Sequence, residues 1–158
     1  MKGEIFVKDY EINDETLAIM PGGDLWDSVV VEDDCNYEVK MKPLEIVDYS
    51  CRYFGSSYEG RKIGASEILN SGYKLPVMVE DTKNLIFFPT TSPVDDDCSW
   101  ISLKNIKNYT KLTSTKTEIE KKNGKVLTVD ISYNSFNNQV MRASRLESII
   151  RSRKEKAK

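Results

Sequence analysis

The dipeptide Asn123-Gly124 predicts a tight reversal of the chain, and it limits the local fold more firmly than any other short motif present. Both residues tolerate the positive φ angles of a two-residue type I′ turn, whose twist matches that of the strands it joins. The flanking segments 118–122 and 125–130 alternate partly between apolar and polar residues, as half-exposed strands do. The sequence therefore predicts an antiparallel hairpin within residues 115–131, closed by a type I′ turn.

Three lysines cluster around the tip of this predicted hairpin, namely Lys121, Lys122 and Lys125. A basic ribbon could enter a DNA groove or lie along a phosphate backbone. Lysines are also common on exposed strand edges, where they prevent pairing with other chains. The sequence leaves both interpretations open.

Short apolar segments bounded by turn residues predict further strands. The first forty residues resemble an antiparallel meander, and residues 90–97 form a polar loop. The predicted strands are 16–20, 28–31, 37–41, 77–80, 85–88 and an extended segment over 100–112.

Three helices are also predicted. Pro43 marks the start of the first, since proline there gives up no needed donor, and Gly55 ends its apolar spacing. The second covers residues 59–69, and the third begins near Asn134 or Ser135, either of which can cap its N-terminus. The apolar stripe of the third helix consists of Phe136, Val140, Ala143, Leu146 and Ile150.

Together these elements predict an α+β fold without internal repeats. Antiparallel strands, in an N-terminal meander and a later β-hairpin, accompany a central helical pair and a C-terminal basic helix. With 158 residues and no long linker, the chain is predicted to be a single domain over residues 1–158.

Charge is distributed unevenly along the chain, although the net charge is only −2. Residues 1–50 carry four Lys and thirteen acids, whereas the remainder carries nineteen Lys and Arg and twelve acids. This asymmetry predicts one face that repels nucleic acid and one that attracts it, if the two parts are separate in space. The acidic part could instead be a solvated surface that keeps the protein soluble.

No signal peptide is predicted, because the N-terminal residues contain no long apolar stretch. No membrane span is predicted either, because no segment approaches the roughly 20 apolar residues that one needs. Cys35, Cys51 and Cys98 lie far apart, which suggests reduced thiols of a cytoplasmic protein that act as small core residues. The absence of histidine and of any Cys cluster argues against a zinc site, and no cofactor is predicted.

The segment Cys51–Lys62, C-R-Y-F-G-S-S-Y-E-G-R-K, combines cationic, small and aromatic residues with only one acid, Glu59. Guanidinium and ammonium groups neutralise phosphates, while hydroxyls and free backbone N–H groups position a protein on the duplex. An arginine could also enter a narrow minor groove, where the negative potential is deepest. An ordinary helix–loop–helix corner with solvated charges explains the same spacing.

The C-terminal helix is rich in cations. Within residues 142–158 they outnumber the acids Glu147 and Glu155 by five. Cations late in a helix also complement the helix dipole, so Lys156 and Lys158 are expected to be solvated. The cations of this stretch are Arg142, Arg145, Arg151, Arg153, Lys154, Lys156 and Lys158.

Most enzymatic mechanisms lack support in this sequence. Without histidine the commonest general base is missing, and no phosphate-binding P-loop is present. One pattern remains: Asp27 followed by Glu38 and Lys40 matches the D…E-x-K arrangement of magnesium-dependent nucleases. Glu38 and Lys40 also fit a simple exposed ion pair on one strand face, so the nuclease is kept only as an alternative.

Five blocks of sequence resemble the competence transcription factor (ComK) family of Gram-positive bacteria. The longest runs from Met41 to Lys62, and the last reads I-S-Y-N-S-F-N-N-Q-V from Ile131 to Val140. Between them lie P-V-M-V at Pro76, I-F-F-P-T at Ile86 and C-S-W-I-S at Cys98. The blocks keep the family order and cover most of the chain from about residue 10 to about residue 145.

The resemblance implies a nucleoid-associated, non-enzymatic activator of competence genes. Members of this family bind paired A-tract and T-tract boxes in double-stranded DNA, largely through the minor groove. They do so as dimers that assemble further, which implies self-association as a dimer or tetramer, with RNA polymerase as a further candidate partner. An interaction regulator without DNA binding is the second alternative.

Residue roles are predicted from the chemistry of the side chains. Arg52, Arg61 and Lys62 are expected to contact the groove or the backbone, with Ser56 and Ser57 as phosphate hydrogen-bond donors. Tyr53 could stack or donate its hydroxyl, although burial in the core is favoured. The residues predicted to contact DNA are Arg52, Tyr53, Ser56, Ser57, Arg61, Lys62, Lys121, Lys122, Lys125, Arg142 and Arg145.

The sequence departs from the family pattern at its C-terminus. Typical members continue for some thirty residues in a tail that the adaptor of a regulatory protease binds. This sequence ends in R-S-R-K-E-K-A-K at Lys158. This departure makes the adaptor binding that the resemblance implies doubtful.

Overall fold

The structure is a computed structural model that describes residues 4–23 and 27–157, so Lys158 lies outside the described residues. The predicted α+β fold is confirmed. In chain order the elements are β1 (Glu4–Val7), β2 (Ala18–Pro21), β3 (Ser28–Val31), β4 (Asn36–Val39), α1 (Pro43–Tyr53), α2 (Tyr58–Leu69), β5 (Val77–Glu80), β6 (Leu85–Pro89), β7 (Trp100–Ser102), β8 (Ile106–Thr113), β9 (Lys116–Lys121), β10 (Val126–Val129) and α3 (Tyr133–Lys156).

Seven of these strands form one sheet in the order β1-β4-β3-β2-β7-β6-β5. The predicted N-terminal meander is confirmed, because β2, β3 and β4 pair as antiparallel neighbours. Strand β1 adds to β4 in parallel, a pairing that the sequence pattern did not reveal. A second, antiparallel sheet has the order β10-β9-β8. The sheet order places the acidic N-terminal strands on one side of the large sheet and β5 to β7 on the other.

Two apolar clusters cover the two faces of the large sheet. On one face, α1 buries Ile46, Val47 and Cys51 against the sheet, where Trp100 is fully buried. On the other face, the small sheet and α3 pack through a second cluster that includes Phe136. The predicted stripe of α3 is confirmed: Phe136, Ala143 and Leu146 are buried, and Val140 and Ile150 pack partly buried beside them.

Helix α2 packs beside the edge strand β5 and against α3, through a third cluster of Ala65, Leu75 and Leu146. The loop that precedes β5 contacts an early part of α3, where Arg142 binds the carbonyl of Lys74. The turn after β5 contacts a late part of α3, where Lys154 binds Asp81. The N-terminus of α2, the β5–β6 turn and the C-terminus of α3 therefore meet at one end of the molecule.

The predicted hairpin is confirmed as β9 and β10, but its turn type was wrong. The amide of Lys121 donates to the carbonyl of Lys125 at 2.8 Å, so three residues rather than two form the loop. Gly124 has φ +89°, whereas Asn123 is not among the residues with positive φ. This pattern is that of a three-residue hairpin loop with glycine in the left-handed position. The last paired residues, Lys121 and Lys125, are separated by one residue more than in a two-residue turn.

Two other boundaries differ from the sequence prediction. The extended segment 100–112 divides into β7 and β8, because the amide of Ile106 donates to the carbonyl of Leu103 in a turn. Helix α3 is capped by Ser132 instead of Asn134 or Ser135, since the Ser132 hydroxyl accepts from the amide of Ser135 at 3.3 Å. Helix starts are uncertain by a residue or two when several cap-forming residues follow each other.

The cysteines give a direct test of the core. Burial raises the pKa of Cys51 to about 11 and also raises that of Cys98, whereas Cys35 is half-buried. Because the thiolate is the reactive form and a reagent must reach it, we expect Cys35 to react with a disulfide reagent at pH 8 on the order of 100-fold faster than Cys51 and Cys98. Thiol titration with and without denaturant measures this. Three equally fast thiols in the native protein would contradict the packing of α1 on the sheet.

Candidate nucleic-acid interface

The α1–α2 corner forms because its sequence ends one helix and starts another within four residues. Phe54 caps α1, and Gly55 follows at φ +92°, a conformation that glycine adopts without steric cost. Ser57 then caps α2, its hydroxyl accepting from the amide of Gly60 at 3.0 Å. The Ser56 hydroxyl lies beside the same turn, since a Cβ on Gly60 would be 3.7 Å from its oxygen. Both predicted phosphate donors therefore lie at the positive end of α2.

Asp48 holds the corner together. One of its carboxylate oxygens accepts from the amide of Tyr58 at 2.9 Å, and the other accepts from Nε of Arg52 at 3.1 Å. The side chain of Arg52 is nevertheless 60% exposed. An exposed ion pair of this kind is weak, so Arg52 can exchange Asp48 for another anion.

Arg61 belongs to the first turns of α2, and its charge acts on the Asp81 carboxylate in the β5–β6 turn. Its Nε is buried and has no hydrogen-bond acceptor among the described residues. Lys154 of α3 donates to Asp81 and holds the pKa of that carboxyl below its ordinary value, and the charge of Arg61 lowers it further. The Asp81 carboxylate thus faces two cations.

Lys62 lies in the second turn of α2 and contacts two residues of the first turn. Its ammonium lies 3.3 Å from a carboxylate oxygen of Glu59 and 5.7 Å from the ring centre of Tyr58. On α3, Arg151 pairs with Glu147 at 3.2 Å and remains 56% exposed. We use the term basic end for the surface that comprises Arg52, Arg61, Lys62, Arg151 and Lys154.

Sequence reasoning did not assign Arg151 and Lys154 to the site. The sequence showed that the C-terminal helix is rich in cations, but it did not show that the end of this helix lies near the start of α2. That meeting depends on α2 and α3 lying side by side across the third apolar cluster.

Tyr53 is not a core residue, contrary to the favoured prediction. Its side chain is 61% exposed, and its ring lies edge-on to that of Phe54 at 5.1 Å between centroids. Phe54 is 38% exposed, so the apolar stripe of α1 ends at Cys51. The helix ends here, and the chain turns away before either ring can reach the sheet.

The hairpin tip is not a free basic wing, and its lysines do not form one surface. Lys121 is only 6% exposed, and burial lowers its pKa, as does the neighbouring Lys125. Because Lys121 is largely buried, we leave it out of the proposed contacts. The Lys125 ammonium donates to the carbonyl of Asp33 at 3.3 Å, and the amide of Lys122 donates to that of Asn105 at 3.2 Å. The tip packs on the acidic part of the molecule.

Arg142 has a structural role that the sequence did not indicate. One terminal nitrogen donates to the carbonyl of Lys74 at 2.8 Å and to the Gln139 side chain at 2.6 Å. The other donates to the Ser71 hydroxyl at 3.1 Å and to the carbonyl of Tyr73 at 2.6 Å. All four of these protons are engaged within the protein, so we leave Arg142 out of the proposed contacts. Arg145 is exposed.

Ser28 of β3 pairs with Val39 of β4, so Asp27, Glu38 and Lys40 of the nuclease pattern lie at neighbouring positions of two strands. Across residues 4–23 and 27–157, no group of three or more His, Cys, Asp or Glu side chains is placed to hold a metal ion. In the same part of the chain, no helix has the length and apolar character needed to cross a bilayer.

Comparison with known proteins gives two matches. The family profile described as ComK protein matches residues 7–155. A protein named Competence transcription factor, from Bacillus subtilis (strain 168), is 42% identical over 145 residues, which cover 90% of this chain and 75% of the relative. No solved structure matches.

Proposed function

Because this chain belongs to the ComK protein family, we propose that it binds A·T-rich double-stranded DNA, largely through the minor groove, and activates competence genes. The family and the 42% identical relative make it a transcriptional regulator of competence. The observation that supports DNA binding is the basic end. Three helices contribute its five cations, and the four that pair with Asp48, Glu59, Glu147 and Asp81 do so in largely exposed ion pairs, which can exchange a carboxylate for a phosphate.

The chemistry of the basic end suits a phosphate backbone. Guanidinium groups bind phosphate oxygens with two parallel hydrogen bonds, and the hydroxyls of Ser56 and Ser57 can add neutral contacts. Arg61 is the proposed groove contact, because none of the ion pairs found among the described residues involves its guanidinium. Arg145, Lys122 and Lys125 remain proposed flanking contacts, since their side chains are exposed.

Residues 1–158 act in this proposal as one DNA-binding unit that self-associates as a dimer or tetramer on the nucleoid. RNA polymerase is a further proposed partner, as activation requires its recruitment. Sedimentation velocity with and without a duplex measures how many copies assemble on the DNA.

A salt titration tests DNA binding itself. We expect tighter binding to an A·T-rich duplex than to a G·C-rich duplex of equal length, by about tenfold or more, as a narrow minor groove attracts arginine. The log–log slope of affinity against salt should lie at about −3 to −5, because each phosphate contact releases roughly one counterion. Fluorescence anisotropy across a salt series measures both quantities.

Equal affinity for both duplexes would remove the A·T preference from the proposal. A protein that binds neither duplex at low salt would leave the interaction regulator as the better account.

A further inference from the structure

Two large aromatic side chains lie exposed at the α1–α2 corner. Tyr53 is 61% exposed and Phe54 is 38% exposed. Their rings meet edge-to-face, with an interplanar angle of 88°. Gly55 turns the backbone directly after Phe54, so the pair occupies the outside of the corner. We call this pair the aromatic tip.

Exposed aromatic rings are unfavourable unless something covers them. Covering such a side chain on binding removes apolar surface from water, which stabilises the complex. Scattered exposed apolar residues are ordinary, whereas these two rings touch and present one apolar surface at the corner.

The charges around the aromatic tip indicate the kind of partner. Arg52 precedes it in α1, and Arg61 lies in the next helix beyond the hydroxyls of Ser56 and Ser57. Duplex DNA combines apolar, stackable base faces with phosphates on either side, so it complements a ring flanked by cations. An apolar groove on a protein partner would leave these cations without a match.

We infer that Phe54, supported edge-on by Tyr53, inserts between adjacent base pairs and kinks the duplex. Proteins that bind the minor groove commonly use an apolar side chain as such a wedge. TA steps unstack most easily, so a TA step within the A·T-rich site is the expected position. The inference rests on the proposed function, which it refines by naming the wedge and the deformation.

Resonance energy transfer between the two ends of an A·T-rich duplex tests the inference. Wild-type protein should shorten the end-to-end distance, and 2-aminopurine at the TA step should brighten as it unstacks. Phe54→Ala should abolish both signals and weaken binding about tenfold. Phe54→Leu, which keeps a large apolar side chain, should retain both signals. Val126→Ala is the control, because it shortens the apolar side chain of another exposed residue, 57% exposed, in the small sheet.

The outcomes separate the two proposals. If wild-type protein binds the duplex but leaves it straight and stacked, or if Phe54→Ala keeps bend and affinity, the wedge is overturned and DNA binding stands. If wild-type protein does not bind the duplex at all, the proposed function itself fails. The wild-type 2-aminopurine signal needs no variant, so the test holds even if Phe54→Ala folds poorly.

Discussion

Replacing Arg61 with Ala is expected to weaken binding to an A·T-rich duplex by about 5- to 150-fold, equivalent to about 1–3 kcal/mol. Its guanidinium has a buried Nε without an acceptor, and its charge is only partly balanced by Asp81, which also binds Lys154. The salt slope should become shallower by about one unit, because one phosphate contact is lost. Anisotropy titrations at several salt concentrations measure both changes.

Lys111→Ala is the matched control for this prediction. It removes the same unit of charge from an exposed position in β8, away from the basic end. If both variants weaken binding equally, the effect comes from total charge and Arg61 makes no specific contact. Thermal unfolding should change little in Arg61→Ala, because its buried nitrogen gains no hydrogen bond from the fold.

Replacing Arg142 with Ala is expected to lower the free energy of unfolding by about 1–3 kcal/mol, because it removes four hydrogen bonds and leaves the side-chain oxygen of the buried Gln139 without that donor. The carbonyls of Lys74 and Tyr73 would each lose a hydrogen bond, and so would the Gln139 side chain. Lys74 has φ +45°, a conformation that depends on such contacts. Urea denaturation measures the change.

Arg145→Ala is the control, since it removes the same side chain three residues later on α3 from an exposed position. It should change the unfolding free energy by less than about 0.5 kcal/mol. Equal stability of the two variants would contradict the clamp that Arg142 forms on the loop before β5.

Local patterns predicted much of the fold. Pro43 and Gly55 bracketed α1 correctly, and the alternation around Asn123-Gly124 identified β9 and β10. These features depend on short-range chemistry, such as proline at a helix start or glycine with positive φ, which the neighbouring residues alone specify. The turn type was wrong because loop length depends on where the strands stop pairing.

The candidate site was less predictable. The sequence identified Arg52, Arg61 and Lys62 as cations worth attention, but it also grouped them with Lys121 and Arg142. Burial removed Lys121 from the surface, and four hydrogen bonds engaged Arg142. Lysine and arginine have long side chains that can reach solvent, a carbonyl or a partner, so their roles depend on what packs beside them.

The sequence by itself determined the family, the α+β class and the positions of the helices, because motifs and periodicity are local properties of the chain. Only the tertiary structure decided that the start of α2 and the end of α3 lie at one end of the molecule, although Tyr58 and Lys156 are almost one hundred residues apart along the chain. The tertiary structure also decided that the rings of Tyr53 and Phe54 stay in solvent. Both outcomes follow from how the elements pack together, because the periodicity of a segment shows which of its faces packs but not which distant element that face meets.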